Sequence, residues 1–264
     1  MCLDEVDSRL DSKSNDKLSE TPTLAPEAPA LFSDRLIALG EVTLCSGFPT
    51  QLGVVVLIQL AGAEPSSSAG QLSLLYVIIL SLVDTTLVLS LVWLMFRTHG
   101  EQPRTILLGT RPLGREMLLG LMLVPAALLL VSVSFTLITR LAPTLHNVVE
   151  NPLEALISSP STAIAFGLVA MVAGGLREEV QRAFILRRFE QHLGGAVTGL
   201  IVFSIVFGLG HLVQGRDAAI VTGLLGALWG FLYLSRRSVV APLTCHALFN
   251  MTEVFIAYGR NSGA

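Results

Sequence analysis

Apolar residues run along this chain in long blocks, separated by short polar stretches in which arginines collect. A membrane helix needs about 20 mostly apolar residues. Seven segments meet that need, at 36–60, 72–96, 116–140, 162–187, 195–213, 217–235 and 239–258. The second and third are uninterrupted in character, whereas Glu41, Pro49 and Gln51 break up the first. Ahead of them, residues 1–33 are rich in Ser, Asp, Lys and Pro and hold no apolar run. Such a segment cannot offset the entropy of ordering, and no apolar stretch of a signal peptide follows its charges, so a disordered tail is expected. Between the third and fourth blocks, residues 142–161 carry Pro143, Pro152 and Pro160 and predict an extracytoplasmic loop with a short surface helix. The pattern predicts an all-α fold, a polytopic membrane helix bundle with about seven transmembrane helices. Its parts are the tail, N-terminal membrane helices over 34–141, the loop, a C-terminal membrane core over 162–258, and a short tail at 259–264.

Composition agrees with the pattern. Hydrophobic residues make up 52% of the chain and charged residues 14%. A soluble domain of this length has no core able to hide so much apolar surface, so the surplus faces lipid. The net charge of −3, without a basic patch interleaved with aromatics, excludes a nucleic-acid partner. Placing the N-terminus in the cytoplasm puts twelve Lys and Arg residues on the inner side. These include Arg97, Arg104, Arg111, Arg115, Arg187, Arg188, Arg236 and Arg237; only Arg140, Arg216 and Arg260 fall outside. That bias is the one that membrane insertion favours, and the short loops fit a multi-pass protein of a cell membrane. Cys2, Cys45 and Cys245 lack metal-ligand spacing, and the latter two read as small apolar residues inside helices.

Ionisable residues inside membrane helices cost about 2.5–3.5 kcal/mol each near the centre, and so require a reason. The fourth block holds Arg177-Glu178-Glu179-Val180-Gln181-Arg182, its densest polar cluster. The fifth ends in Phe207-Gly208-Leu209-Gly210-His211, and the seventh contains His246-Ala247-Leu248-Phe249-Asn250. Helical spacing places residues four apart on one face. Glu178 and Arg182 are therefore expected to pair, with Glu179 turned towards the face of Ala183. His246 and Asn250 share a second face, extended by Glu253, and Phe207 lies under His211. A carboxylate beside an imidazole can take a proton from water, and a second imidazole with an amide can stabilise the oxyanion of a peptide carbonyl. Two His and one Glu can instead bind zinc. Both routes hydrolyse a peptide bond, and the residues alone do not choose between them.

These three motifs resemble those of the CAAX-protease and bacteriocin-processing (CPBP, or Abi) family of membrane proteases, which includes the type II CAAX prenyl endopeptidases. The family signature is Glu-Glu-x-x-x-Arg, then Phe-x-x-x-His, then His-x-x-x-Asn, each on its own membrane helix. The chain has Glu178-Glu179, Phe207 with His211, and His246 with Asn250 in that order, and the likeness covers about 162–255. It departs at one point: Ala183 stands where the family carries Arg, and Arg182 comes one residue earlier. The resemblance implies an intramembrane endopeptidase in which Glu178 activates water and His211 assists it. His246 and Asn250 would form the oxyanion site, with Glu179 and Arg182 completing the catalytic set. It leaves open a divalent metal such as zinc, for which Glu178, His211 and His246 would be the ligands. The implied partners are the lipid bilayer and a peptide or protein substrate at the membrane.

Two other readings stay in view, a non-catalytic scaffold of the same fold and an ion- or proton-coupled transporter using the buried charges. Asp84, Glu41 and Glu253 are expected to face a cavity or the interface without an assigned role, and His99, His146 and His192 to be solvated in loops. Regular helices would leave Glu178 and His211 at different depths, so a break at Gly174-Gly175 is expected to sink Glu178 deeper.

Overall fold

A computed structural model describes residues 31–62, 64–66, 72–148 and 151–263. The expected disordered tail lies, up to residue 30, outside the described residues. No strand occurs among those described, and the fold is all-α. The helices are α1 (Phe32–Leu44), α2 (Phe48–Leu60), α3 (Leu74–Thr98), α4 (Pro103–Leu108), α5 (Leu113–Leu141), α6 (Pro160–Ala170), α7 (Glu178–His192), α8 (Ala196–Leu209), α9 (Arg216–Arg236) and α10 (Val240–Ser262).

Among the described residues, α3, α5, α9 and α10 are each long and apolar enough to cross a membrane. A fifth span arises if α1 and α2, bent by 42° at residues 45–47, count as one. The expectation of seven is finer than this. The segment expected at 195–213 forms only the 14-residue α8, about 21 Å long at about 1.5 Å per residue, against a hydrocarbon core of about 30 Å. The segment expected at 162–187 is a rod made of α6, a π-helical stretch Met171–Arg177, and the polar α7. The loop at 142–161 holds two 3₁₀ turns, Pro143–Leu145 and Glu154–Leu156, in place of a surface helix. The last helix continues through most of the expected C-terminal tail, to Ser262.

The packing explains which faces are apolar on purpose. Leu118, Leu121, Met122, Leu129 and Val133 of α5 are exposed, and only lipid offers such a face a favourable solvent. Towards the inside, two of the buried cores border the polar motifs. Val88, Val92 and Phe96 of α3 pack with Phe184 and Phe189 of α7 and Phe203 of α8. Val124 and Ala127 of α5 pack with Leu225 and Trp229 of α9 and Cys245 and Phe249 of α10. Phe207 packs against both cores and marks the seam between them. Cys45 and Cys245 are buried as small apolar residues. α8 and α9 approach closely because Gly208 faces Gly223 and the Ala219 carbonyl, where a Cβ would collide.

One end of the bundle is stitched by charges. Arg188, buried at the end of α7, donates to Glu41 at 2.6 Å and to Glu101 at 2.7 Å. Glu41 also meets the His99 ring at 2.5 Å, and Glu101 accepts from Arg187 and Gln191 at 3.1 Å each. Arg236 holds Glu116, and Arg237 holds Glu190 through two bonds. Glu41 and His99 were expected to be interfacial and solvated; they are partners. His146 pairs with Asp217 at 2.5 Å, and Arg260 with Glu154 at 2.9 Å.

Candidate active site

The rod of residues 160–192 does not break at Gly174-Gly175, as regular helices required; it widens. The π turn carries both glycines, and wide turns of this kind recur at functional sites because they re-aim the residues that follow. Its glycines let α10 come close. A Cβ on Gly175 would lie 2.6 Å from that of Ala247, and one on Gly174 would collide with the Asn250 amide and stand 3.6 Å from His246 Nε2. The bare backbone at Gly174 therefore lets the Asn250 amide and the His246 ring pack directly against the wide turn. Asn250 donates its amide to the Ala170 carbonyl at 3.1 Å, at the junction where the wide turn begins.

The two adjacent glutamates take different partners. Glu179 is buried, accepts a hydrogen bond from Arg182, and meets Nδ1 of His246 at 2.8 Å. Glu178 retains a little solvent access, with 13% of its side chain exposed. Its Oε1 accepts from Arg177 at 2.9 Å, and its Oε2 stands 3.9 Å from His246 Nε2. The expected Glu178–Arg182 pair is thus replaced by Glu179–Arg182. Residues three and four apart are both neighbours on a helix, so Arg182 can reach either carboxylate. Tertiary packing decides between them. Arg177 already holds Glu178, and the Arg182 guanidinium is caged by rings, 5.0 Å from Phe203, 5.1 Å from Phe207 and 5.7 Å from Trp229. Aromatic faces attract a buried cation, which suits a guanidinium whose Nε and Nη2 find no hydrogen-bond acceptor.

Both histidines are held in defined states. His246 is buried and stacks on Trp229 with ring centres 3.6 Å apart. Its Nδ1 faces a carboxylate, so that nitrogen carries the proton and Nε2 is the atom turned to Glu178. His211, half-buried, has Nδ1 2.9 Å from the Phe207 carbonyl. A carbonyl only accepts, so Nδ1 donates and Nε2 keeps a lone pair. His211 lies against Phe207, with ring centres 5.1 Å apart, and Phe207 lies 6.5 Å from the His246 ring. No hydrogen bond or ion pair joins His211 to Glu178 among the described residues.

The alternative of a metal held by Glu178, His211 and His246 does not fit this arrangement. Among the described residues no three His, Cys, Asp or Glu side chains are grouped so as to hold an ion. Each histidine gives Nδ1 to an acceptor and keeps Nε2, as ligating histidines also do, so it is the separation of the three side chains that speaks against a shared ion.

Four residues without an expected role belong to the cluster. Arg177 joins Glu178 to Asp84 of α3. Thr50 of α2 donates to the other oxygen of Asp84 at 2.5 Å. Trp229 fixes the His246 ring and donates its own N–H to the Cys245 sulfur at 3.4 Å. Asp84 gave a signal in the sequence, as a lone carboxylate in an apolar block, but nothing in the sequence named its partner.

Comparison with known proteins covers part of the chain. The family model described as type II CAAX prenyl endopeptidase Rce1-like matches residues 160–252, about a third of the length. No curated protein and no solved structure matches the chain. The matched segment begins with α6 and takes in the paired glutamates, both histidines and Asn250. Together with the membrane-capable helices this makes the chain a multi-pass membrane protein, and over residues 160–252 it carries an Rce1-like domain, consistent with the CPBP family of proteases.

Proposed function

We propose that this protein is an intramembrane endopeptidase that hydrolyses a peptide bond near a lipid-bearing C-terminus, the activity named in the description of its matched family. The observation that carries the reading is the pair of inequivalent glutamates around His246. Glu179 is buried and committed to Arg182 and His246, whereas Glu178 keeps Oε2 free, 3.9 Å from His246 Nε2, with some access to water. A polar separation of that size suits a bridging water or carbonyl oxygen.

In the proposed reaction Glu178 removes a proton from water, which attacks the substrate carbonyl, and His211 assists through its unprotonated Nε2. His246 and Asn250, both packed against the bare backbone of Gly174, stabilise the oxyanion. With Nδ1 given to Glu179, His246 donates from Nε2 only as an imidazolium, and the Glu179 carboxylate beside it balances that charge. Arg182 in its aromatic cage holds Glu179 in place. The proton taken by Glu178 passes to the leaving amine. Every step uses side chains of this chain, and none is routed through a metal.

The same reading keeps the N-terminus in the cytoplasm of a cell membrane. It also keeps the division into N-terminal helices (34–141) and catalytic core (162–258), and treats α1–α2, the rod of 160–192 and α8 as membrane-embedded. Purified protein in lipid nanodiscs is expected to cleave an internally quenched peptide that ends in a farnesylated CAAX box. Glu178→Gln is expected to remove that cleavage, and full activity of this variant would overturn the assignment. A scaffold of the same fold would bind the peptide without cleaving it. A transporter would instead move an ion across the bilayer.

A further inference from the structure

Asp84 lies about midway along the apolar α3, is buried, and stands outside the segment that matches the protease family. A carboxylate at such a depth costs about 2.5–3.5 kcal/mol on insertion scales, so its position calls for a compensating partner. The partner is Arg177, the last residue of the π turn. Each of its three guanidinium nitrogens donates: Nη1 to Asp84, Nη2 to Glu178 Oε1 at 2.9 Å, and Nε to the Ala173 carbonyl at 3.3 Å. Asp84 is fixed in turn by Thr50, whose hydroxyl also meets the Gly47 carbonyl at 3.0 Å. A planar group held at three edges cannot rotate, so Glu178 Oε1 is pinned and Oε2 is turned towards His246 Nε2.

We propose that Asp84 is a positioning residue for hydrolysis, acting through Arg177 to hold Glu178 with one oxygen engaged and the other presented to the reacting water. It competes with Glu178 for a single guanidinium. Without it, Arg177 is free to close on both oxygens of Glu178 and withdraw the base from use. The N-terminal half thereby supplies part of the working site. This role rests on the hydrolase reading above.

The experiment measures steady-state cleavage of the farnesylated, quenched peptide by full-length protein in nanodiscs. It compares the unmodified chain, Glu178→Gln, Asp84→Asn, Asp84→Glu, Thr50→Val and the double variant Asp84→Asn/Glu178→Gln. A misplaced catalytic group costs on the order of a hundredfold in rate. Asp84→Asn is therefore expected to lower kcat about tenfold to a hundredfold with KM within about twofold. Asp84→Glu should restore most of the rate. Thr50→Val, which changes no charge, should lose severalfold and gives a second reading if Asp84→Asn folds poorly. In the double variant, Asp84→Asn should add nothing to the loss caused by Glu178→Gln, the mark of residues acting as one unit. A kcat unchanged in Asp84→Asn or in Thr50→Val, beside an inactive Glu178→Gln, overturns the positioning role alone. So does a loss that multiplies in the double variant. An active Glu178→Gln, or no cleavage by the unmodified protein, overturns the hydrolase reading and this role with it.

Discussion

Two arginine–glutamate networks lie buried in this molecule, and they differ in how completely their carboxylates are satisfied. At the end of the bundle each oxygen of Glu41 and Glu101 has a partner, shared among His99, Arg187, Arg188 and Gln191. Around His246, Glu179 Oε2 has no partner and Glu178 Oε2 has none within hydrogen-bond distance. Buried polar atoms are almost always paired, and exceptions call for a reason. A closed network ties α1, the α3–α4 connection and α7 together. An open one keeps bonding capacity for something else to fill. The contrast teaches that buried charge alone does not mark a site in a membrane protein; a carboxylate oxygen left without a partner does.

That contrast can be broken in graded steps. Glu178→Gln removes the proposed base, and cleavage should fall by about a thousandfold or more with the fold retained, as judged by rate and melting temperature together. Glu179→Gln leaves Arg182 charged without its carboxylate. A buried pair broken from one side costs about 3–5 kcal/mol, so denaturation should show that loss along with inactivity. Gly174→Ala places a methyl against the Asn250 amide. The rate should drop by about a hundredfold, with binding of an uncleaved peptide analogue weakened.

The end network should respond in stability alone. Glu101→Gln should cost about 1–3 kcal/mol and leave cleavage per folded molecule unchanged; a changed kcat would erase the distinction between the two networks. Glu101 also predicts a pH response. Burial raises its carboxyl, but hydrogen bonds and charge from Arg188 and Arg187 outweigh that and hold it below the usual glutamate value of 4.5. A carboxyl depressed in the folded state stabilises fully above its unfolded value, and this contribution is lost as pH falls through the lower, folded one. Wild-type stability should therefore decline below about pH 4.5, and Glu101→Gln should flatten that part of the decline. Glu190, paired with Arg237 through two bonds, is partly exposed. Glu190→Gln should change stability by a few tenths of a kcal/mol, and less at high salt.

Much of this was legible in the chain itself. Apolar blocks located α3, α5, α9 and α10, and the polar motifs singled out the paired glutamates and the His246 that they meet, whereas His211 stands behind Phe207. Three things were not legible, each for a physical reason. The π turn has no signature in side-chain periodicity, because glycines at 174 and 175 permit a wide turn without requiring one. The choice of Arg182 between Glu178 and Glu179 lies in the cage of Phe203, Phe207 and Trp229, which are 21 or more residues away in sequence. The role of Asp84 depends on Arg177, 93 positions further on. Helical spacing speaks only for neighbours within a few turns.

The bonds of α7 and the wide turn before it also bear on how far the matched segment is portable. Arg177 reaches Asp84, Gln181 reaches the Cys45 carbonyl at 2.8 Å, and Arg188 reaches Glu41 and Glu101. All of those acceptors precede residue 160. A fragment cut there, or grafted behind foreign helices, would carry two guanidiniums stripped of these acceptors and an idle amide into lipid. Any chimera must import these earlier acceptors along with the motifs.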